Sequence, residues 1–177
     1  MNQELYFLRS SEQYLAKELL PLAFDLEESN ESIEQYERHF GSYSGDIGVY
    51  MMFNNKVAGA AWVRVLVNGF AFVDHDTPEL IVVVKPEYRK QGLATALMNQ
   101  LFIEVSKIFS QLSVSVEDNS PTQKFFEKLG FTKIDNSEHK NEKGSDAFKM
   151  LKVLKEIEAS KEEKHLEEEC FRKSFRA

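Results

Sequence analysis

Residues 80–101 read LIVVVKPEYRKQGLATALMNQL, and the fold is decided here. Leu80 to Val84 is a continuous run of β-branched and apolar residues rather than an alternating one. That pattern predicts a central strand covered on both faces. The segment Lys85-Pro86-Glu87-Tyr88-Arg89-Lys90-Gln91-Gly92 reads as a turn. A long helix is predicted after it, with Leu93, Ala96, Leu97, Leu101, Val105 and Ile108 on its buried stripe. The first amides of a helix have no intrahelical partner, and the helix dipole adds partial positive charge to them. Such a corner suits phosphate oxygens. Gly92 has no Cβ to keep a ligand away from the backbone, Ala94 keeps the next turn slim, and Arg89 and Lys90 add positive charge. Taken alone, R-x-x-G-x-A is also an ordinary turn. It matches neither the P-loop nor the dinucleotide fingerprint.

Working outward, Leu5–Arg9 reads as a first strand. Tyr14, Leu15, Leu19, Leu20 and Leu22 recur at helical spacing, and Pro21 marks a kink or an end. A second helix is expected from Asn30, with Ile33, Tyr36 and Phe40 on one face, stopped by the glycines of GSYSGDIG. Val49–Phe53 and Val57–Val67 flank Asn54-Asn55-Lys56 as an antiparallel hairpin. Phe70–Val73 reads as a further short strand. Downstream lie a strand at Leu112–Val116 and a proline-led helix at Thr122–Leu129 ended by Gly130. A strand at Phe131–Ile134, a polar loop over Asp135–Asp146 and a closing strand at Ala147–Leu154 complete the core. The expected class is α/β (α+β): a mixed, partly parallel central sheet flanked by helices over residues 1–154. Residues 155–177 form a charged helical tail, read as a solvated helix, a frayed end, or a packing arm on a partner, with a homodimer as the case considered.

Composition sets outer bounds. The chain has 177 residues, enough for one domain plus an appendage, with 42% hydrophobic residues and 14 phenylalanines. The single cysteine, Cys170, cannot close an internal disulfide, so a reducing, cytoplasmic setting is expected. A net charge of −7 argues against nucleic acid as a partner. The longest apolar stretch, Val57–Val63, falls well short of the roughly 20 residues of a membrane span. The start, MNQELYFLRS, lacks a signal-peptide pattern. No membrane partner is expected.

The stretch VVVKPEYRKQGLATALMNQL resembles the central motif of the GCN5-related N-acetyltransferases, the GNAT family. Its pattern V-x-P-x-x-[RQ]-x-x-G-x-[GA] is filled by Arg89, Gly92 and Ala94 at the last three specified positions. VSVEDNSPTQKFFEKLGF resembles the family's next segment, with Asn119 followed by a short helix. The resemblance covers about Leu5 to Leu154 and is strongest from Leu80 to Phe131. It implies acetyl-CoA as co-substrate and an acceptor that is a small-molecule or peptide amine; no metal is expected, because the adjacent Asp74, His75 and Asp76 point in different directions and no second ligand cluster supports one. It also implies that the amides of Lys90, Gln91, Gly92, Leu93, Ala94 and Thr95 hold the pyrophosphate. The backbone of Val82, Val83 and Val84 would pair with the pantetheine arm, with Asn119 and Phe126 contacting the same ligand. Strands 80–84 and 112–116 are expected to splay around the thioester.

An acceptor amine must lose a proton to attack a thioester, and Glu79 is the residue placed as general base. A solvent-exposed strand start is the competing reading for it. Asp74, His75 and Asp76 are alternative acceptor-binding or proton-handling residues. The acidic loops with Glu27, Glu28 and Glu31 and with Asp74 and Asp76 suit a cationic acceptor. The family commonly has a tyrosine, acting as general acid, seven residues after the asparagine; here that position is Phe126, and Tyr88 is a conceivable substitute. Three functions follow: an acetyl-CoA-dependent N-acetyltransferase with direct attack in a ternary complex, a GNAT-fold module that binds or senses CoA without turnover, or an interaction protein whose working part is the charged C-terminal helix. Cys170, in the charged tail, is a poor candidate nucleophile.

Overall fold

The structure is a computed structural model and describes residues 2–154. The tail expected as a helix, with Cys170, lies outside the described residues. Along the chain run β1 (Gln3–Leu8), α1 (Gln13–Ala23), a 3₁₀ helix (Glu31–Tyr36), β2 (Ile47–Phe53), β3 (Lys56–Arg64), β4 (Glu79–Val84) and α2 (Leu93–Val105). They are followed by β5 (Gln111–Glu117), α3 (Pro121–Lys128), β6 (Thr132–Lys133), β7 (His139–Lys140) and β8 (Asp146–Val153). Among the described residues, the strands form one sheet in the order β1-β2-β3-β4-β5-β8-β6, and β7 also pairs with β8. Only β4 and β5 are parallel; the other pairs are antiparallel. A parallel pair needs a crossover, and α2 supplies it.

The expected continuous burial of the central strand is what β4 displays, and it divides the molecule into two cores. Leu80 and Val84 face α2, where Leu93, Leu97, Met98, Leu101 and Val105 pack with Phe126 of α3. Ile81 and Val83 face the other way, onto Leu15, Leu19 and Leu20 of α1 and onto Ile33, Tyr36 and Phe40. The helix stripe needs two corrections. Ala96 is exposed and Met98 holds the buried position, while Ile108 lies past the end of α2 and is exposed.

Local chemistry explains the boundaries. Asn54 and Asn55 both take positive φ (48° and 64°), the pairing a tight primed hairpin turn demands. Pro21 sits in the last turn of α1, and the helix stops at Ala23. The second predicted helix is a 3₁₀ helix capped by Asn30, whose Oδ1 accepts from Ser32 N–H at 2.9 Å. The strand expected at Phe70–Val73 does not form, and β3 ends at Arg64 rather than Val67. Successive turns replace it (Gly69 N–H to Leu66 O, Phe72 N–H to Gly69 O), and the Phe70 amide donates to the Tyr36 hydroxyl at 2.7 Å. The expected loop at 135–146 contains β7, because His139 and Lys140 find partners in Ala147 and Asp146.

Arg64 at the end of β3 pins the segment after the 3₁₀ helix. It donates to both carboxylate oxygens of Asp46 (3.2 and 3.1 Å) and to the carbonyls of Arg38 and His39. Both side chains of the Arg64–Asp46 pair are almost fully buried. Removing one partner of a buried ion pair strands the other charge and typically costs about 3–5 kcal/mol. Asp46→Ala is therefore expected to lower the unfolding free energy by about 3 kcal/mol, measured by urea denaturation.

Candidate active site

β4 and β5 are bridged at one position, Glu79 opposite Ser113, with Ser113 N–H donating to Pro78 O at 3.0 Å. Beyond that bridge the strands part. Between Leu80–Val82 and Val114–Val116 opens a cleft of 510 Å³, with Asn119 and Phe126 in its lining. The edge that β4 turns to this gap follows from the ladder. Lys85 N–H donates to Ala58 O on β3 and Pro78 O accepts from β5, so odd residues face β3 and even residues face the gap. The main chain of Val82 and the N–H of Val84 therefore point into the opening. Val83 is paired with Ala60, its side chain lies in the α1-side core, and it lines neither the cleft nor the loop cavity.

At the C-terminal end of β4 the turn is held by Arg89, whose Nε donates to Val84 O at 2.9 Å. Lys90 (φ 59°) and Gly92 (φ 81°) then take left-handed conformations and aim the chain into α2. The first bond across Gly92 is Ala96 N–H to Gly92 O at 3.1 Å, so the amides of Leu93, Ala94 and Thr95 have no partner within the helix. A Cβ at Gly92 would meet nothing within 4 Å; the side it leaves open belongs to a 230 Å³ cavity that also touches Arg89, Lys90, Ala94, Thr95 and Phe125. Gln91 is exposed and lines neither cavity. Tyr88 packs on Phe53 with ring centroids 5.4 Å apart and lines this loop cavity, not the cleft. Asn119 takes φ 57° and lines the cleft. Phe126 is 2% exposed and packs edge-on against Phe131, so its ring is core and cleft wall at once.

Glu79 is not an exposed strand start. It is 3% exposed and lines the cleft. Its Oε1 accepts from the Tyr36 hydroxyl at 2.6 Å, and Tyr36 in turn accepts from Phe70 N–H. Its Oε2 has no hydrogen-bond partner among the described residues. Burial pushes the Glu79 carboxyl up to about 7, against the pull of the Tyr36 hydroxyl, the Ala71 main chain and the charge of Lys149. The Tyr36 phenol is pushed upward by its own burial and by the neighbouring carboxylate. Gly69 makes room for this arrangement, since a Cβ there would lie 1.9 Å from Oε2.

Asp74, His75 and Asp76 are exposed and, like Glu27, Glu28 and Glu31, line neither cavity. The carboxylates that do line the cleft besides Glu79 are Asp25, Glu117, Asp118 and Glu142. Lys143 reaches across to Asp25 at 3.1 Å. A further pair went unread in the sequence: Ser115 Oγ stands 2.8 Å from His139 Nε2, and His139 Nδ1 stands 2.9 Å from Ser137 O. Nothing local marks the pair, because β5 and β7 meet only through β8, and His139 falls in a segment that reads as polar loop.

Residues 47–133 match the family model of the acetyltransferase (GNAT) domain, a span from β2 to β6 that contains both the splay and the turn into α2. Known structures share the fold. The ribosomal-protein-S18-alanine N-acetyltransferase of Escherichia coli superposes with a TM-score of 0.65 at 20% identity, over 88% of this chain and 96% of that one. The protein yncA of Salmonella typhimurium, solved with its cofactor acetyl-CoA, gives 0.66 at 19% identity over 88% and 96%. The spermidine/spermine N-acetyltransferase SpeG of Vibrio cholerae gives 0.59 at 16% identity over 86% and 95%. No curated protein matches the sequence. The chain thus carries a GNAT acetyltransferase domain at residues 47–133.

The raised Glu79 pKa makes a stability prediction. A carboxyl that ionises near 4.5 when unfolded and near 7 when folded favours the folded chain below pH 4.5, and that support is lost as pH rises through 7. Glu79→Gln removes the titration. Its unfolding free energy should gain on that of the parent by up to about 3 kcal/mol between pH 4.5 and 7.5. Parallel denaturation series at the two pH values test this; an unchanged difference would contradict it.

Proposed function

We infer that the protein is an N-acetyltransferase that moves an acetyl group from acetyl-CoA to a primary amine by direct attack in a ternary complex. The observation that carries this reading is that one strand, β4, supplies the wall of the splayed cleft with its unpaired edge and leads at its end into the free amides opening α2. The turn at Lys90–Thr95 suits the diphosphate, because Gly92 leaves its open side to the ligand and the helix start favours negative charge. The main chain of Val82 and Val84 offers the pantetheine arm the pairing that β5 relinquishes. Asn119 and Phe126 flank the same path. A main-chain amide of β4 aimed into the gap is suited to the oxyanion that develops at the thioester carbonyl.

Glu79 is the general base of this reading. A carboxyl held near 7 can be ionised at neutral pH and still accept a proton with useful driving force. The acceptor side of the cleft carries Asp25, Glu117, Asp118 and Glu142 against Lys143, which is itself paired. That balance favours an acceptor with positive charge beyond the reacting amine.

One observation supports a second reading, a module that binds CoA without turnover: the ring at position 126 is buried and has no hydroxyl to offer a leaving thiolate. Thiol release from acetyl-CoA, measured against a panel of polyamines, aminoglycosides and peptides, separates the two. The enzyme reading expects release with at least one amine; CoA binding by calorimetry with no release would establish the module. Glu79→Gln is expected to lower turnover about 100-fold with CoA affinity unchanged, in line with the loss of a general base. Gly92→Glu is expected to abolish CoA binding by calorimetry while circular dichroism stays the same. Retained affinity would remove the diphosphate assignment.

A further inference from the structure

Deepening that reading, on which it rests, we propose that Ser115 and His139 form a proton relay that protonates the departing CoA thiolate. Ser115 lies on β5 two residues past its bridge to β4, so it stands across the opening from Ile81 and beside the gap-facing main chain of Val82. It shares its face of β5 with Ser113, the bridging residue opposite Glu79; relay and base therefore occupy the same side of the sheet. Ser115 lines the cleft, and its hydroxyl lies 2.8 Å from Nε2 of the His139 imidazole.

The imidazole is oriented by its other nitrogen. A carbonyl can only accept, so Nδ1, 2.9 Å from Ser137 O, carries a proton. Nε2 is left to exchange a proton with Ser115. The ring also lies nearly parallel to Phe70, 6.2 Å away with an interplanar angle of 10°. Phe70 stacks in turn on Tyr36, the residue that holds Glu79. The proton donor and the general base thus share one aromatic scaffold.

Three other residues of the cleft wall are engaged or have no proton to give. The Ser120 hydroxyl donates to Glu117 O and caps α3, Lys143 is paired with Asp25, and Phe126 has no proton to give. Among the described residues lining the cleft, Ser115 is the hydroxyl backed by an imidazole.

The step balances. The amine nitrogen bonds to the carbonyl carbon while the C–S bond breaks, and its electron pair passes to sulfur. Sulfur takes the Ser115 hydroxyl proton as Ser115 Oγ takes one from Nε2 of the His139 imidazolium. The proton lost by the amine goes to the Glu79 carboxylate. Exchange with water returns Glu79 to carboxylate and His139 to imidazolium.

Because a free thiol has a pKa near 8.5, a thiolate leaves fairly well unaided. The expected loss therefore sits at or below the low end of general acid catalysis, about 10–100-fold. Ser115→Ala and His139→Gln should lower kcat with acetyl-CoA by that factor, with the CoA dissociation constant within threefold of the parent, and Ser115→Thr should recover most of the rate. With S-(4-nitrophenyl) thioacetate, whose thiolate needs no proton, the defect of both variants should shrink to less than threefold. Equal loss with both donors, or an undiminished kcat for Ser115→Ala, would overturn the relay. If the parent protein transfers acetyl to no amine, the enzyme reading itself fails. The placement of the pair is then read by NMR, where CoA should move the His139 imidazole signals more than desulfo-CoA does; equal shifts would place the thiol elsewhere.

Discussion

The site depends on a pairing that stops. Glu79 and Ser113 bridge β4 and β5 at their beginnings, and beyond them each strand is held only by its outer neighbour. β3 pairs with β4 over its whole length and β8 does the same for β5, so each half of the sheet is fully laddered and the seam between them is open. Unpaired main-chain groups in a sheet interior are costly unless a partner is provided. A ligand that itself offers amides along an extended arm can provide one, and the cleft is placed to admit it.

The two cores give this seam its chemistry. Because β4 is buried on both faces, its alternation sorts side chains by role. Even residues pack under α2 and set the position of the helix start, while odd residues face α1 and the aromatic group around Tyr36. Glu79 belongs to the second set. Its carboxyl is buried by the same packing that orders α1, so its raised pKa follows from the fold rather than from a neighbouring like charge. Arg64, opposite Glu79 in the β3–β4 register, anchors the segment after Tyr36 through Asp46. A structural ion pair and a candidate base are thereby built on adjacent positions of the sheet.

Much of this was legible from one stretch of chain. The unbroken apolar run at 80–84 announced a strand with two covered faces, and Gly92 after a basic turn announced an unusual helix entry. Elements with strong local signals, such as Asn54-Asn55 or Ser120-Pro121, fell where turn and cap chemistry put them. The misses share a cause. Phe70 is apolar enough for a strand, but its amide is taken by a hydroxyl 34 residues away. His139 sits among polar residues, and its partner Ser115 becomes its neighbour only through a third strand. The burial of Glu79 was invisible for the same reason, since it is produced by a turn and a helix that nothing at position 79 encodes.

The glycine at position 69 carries a consequence for how this chain can change. Its missing side chain is the space in which one oxygen of Glu79 rests. A mutation adding even a methyl group there would expel the acid, and shortening the acid would leave a void beside an idle glycine. Neither position can drift alone without harm, so lineages that keep the carboxylate must keep the glycine, and lineages that have abandoned it are free to fill the gap. Residue 69, which offers no group of its own to the reaction, is therefore a marker by which descendants that retain the proposed base could be told from those that have lost it.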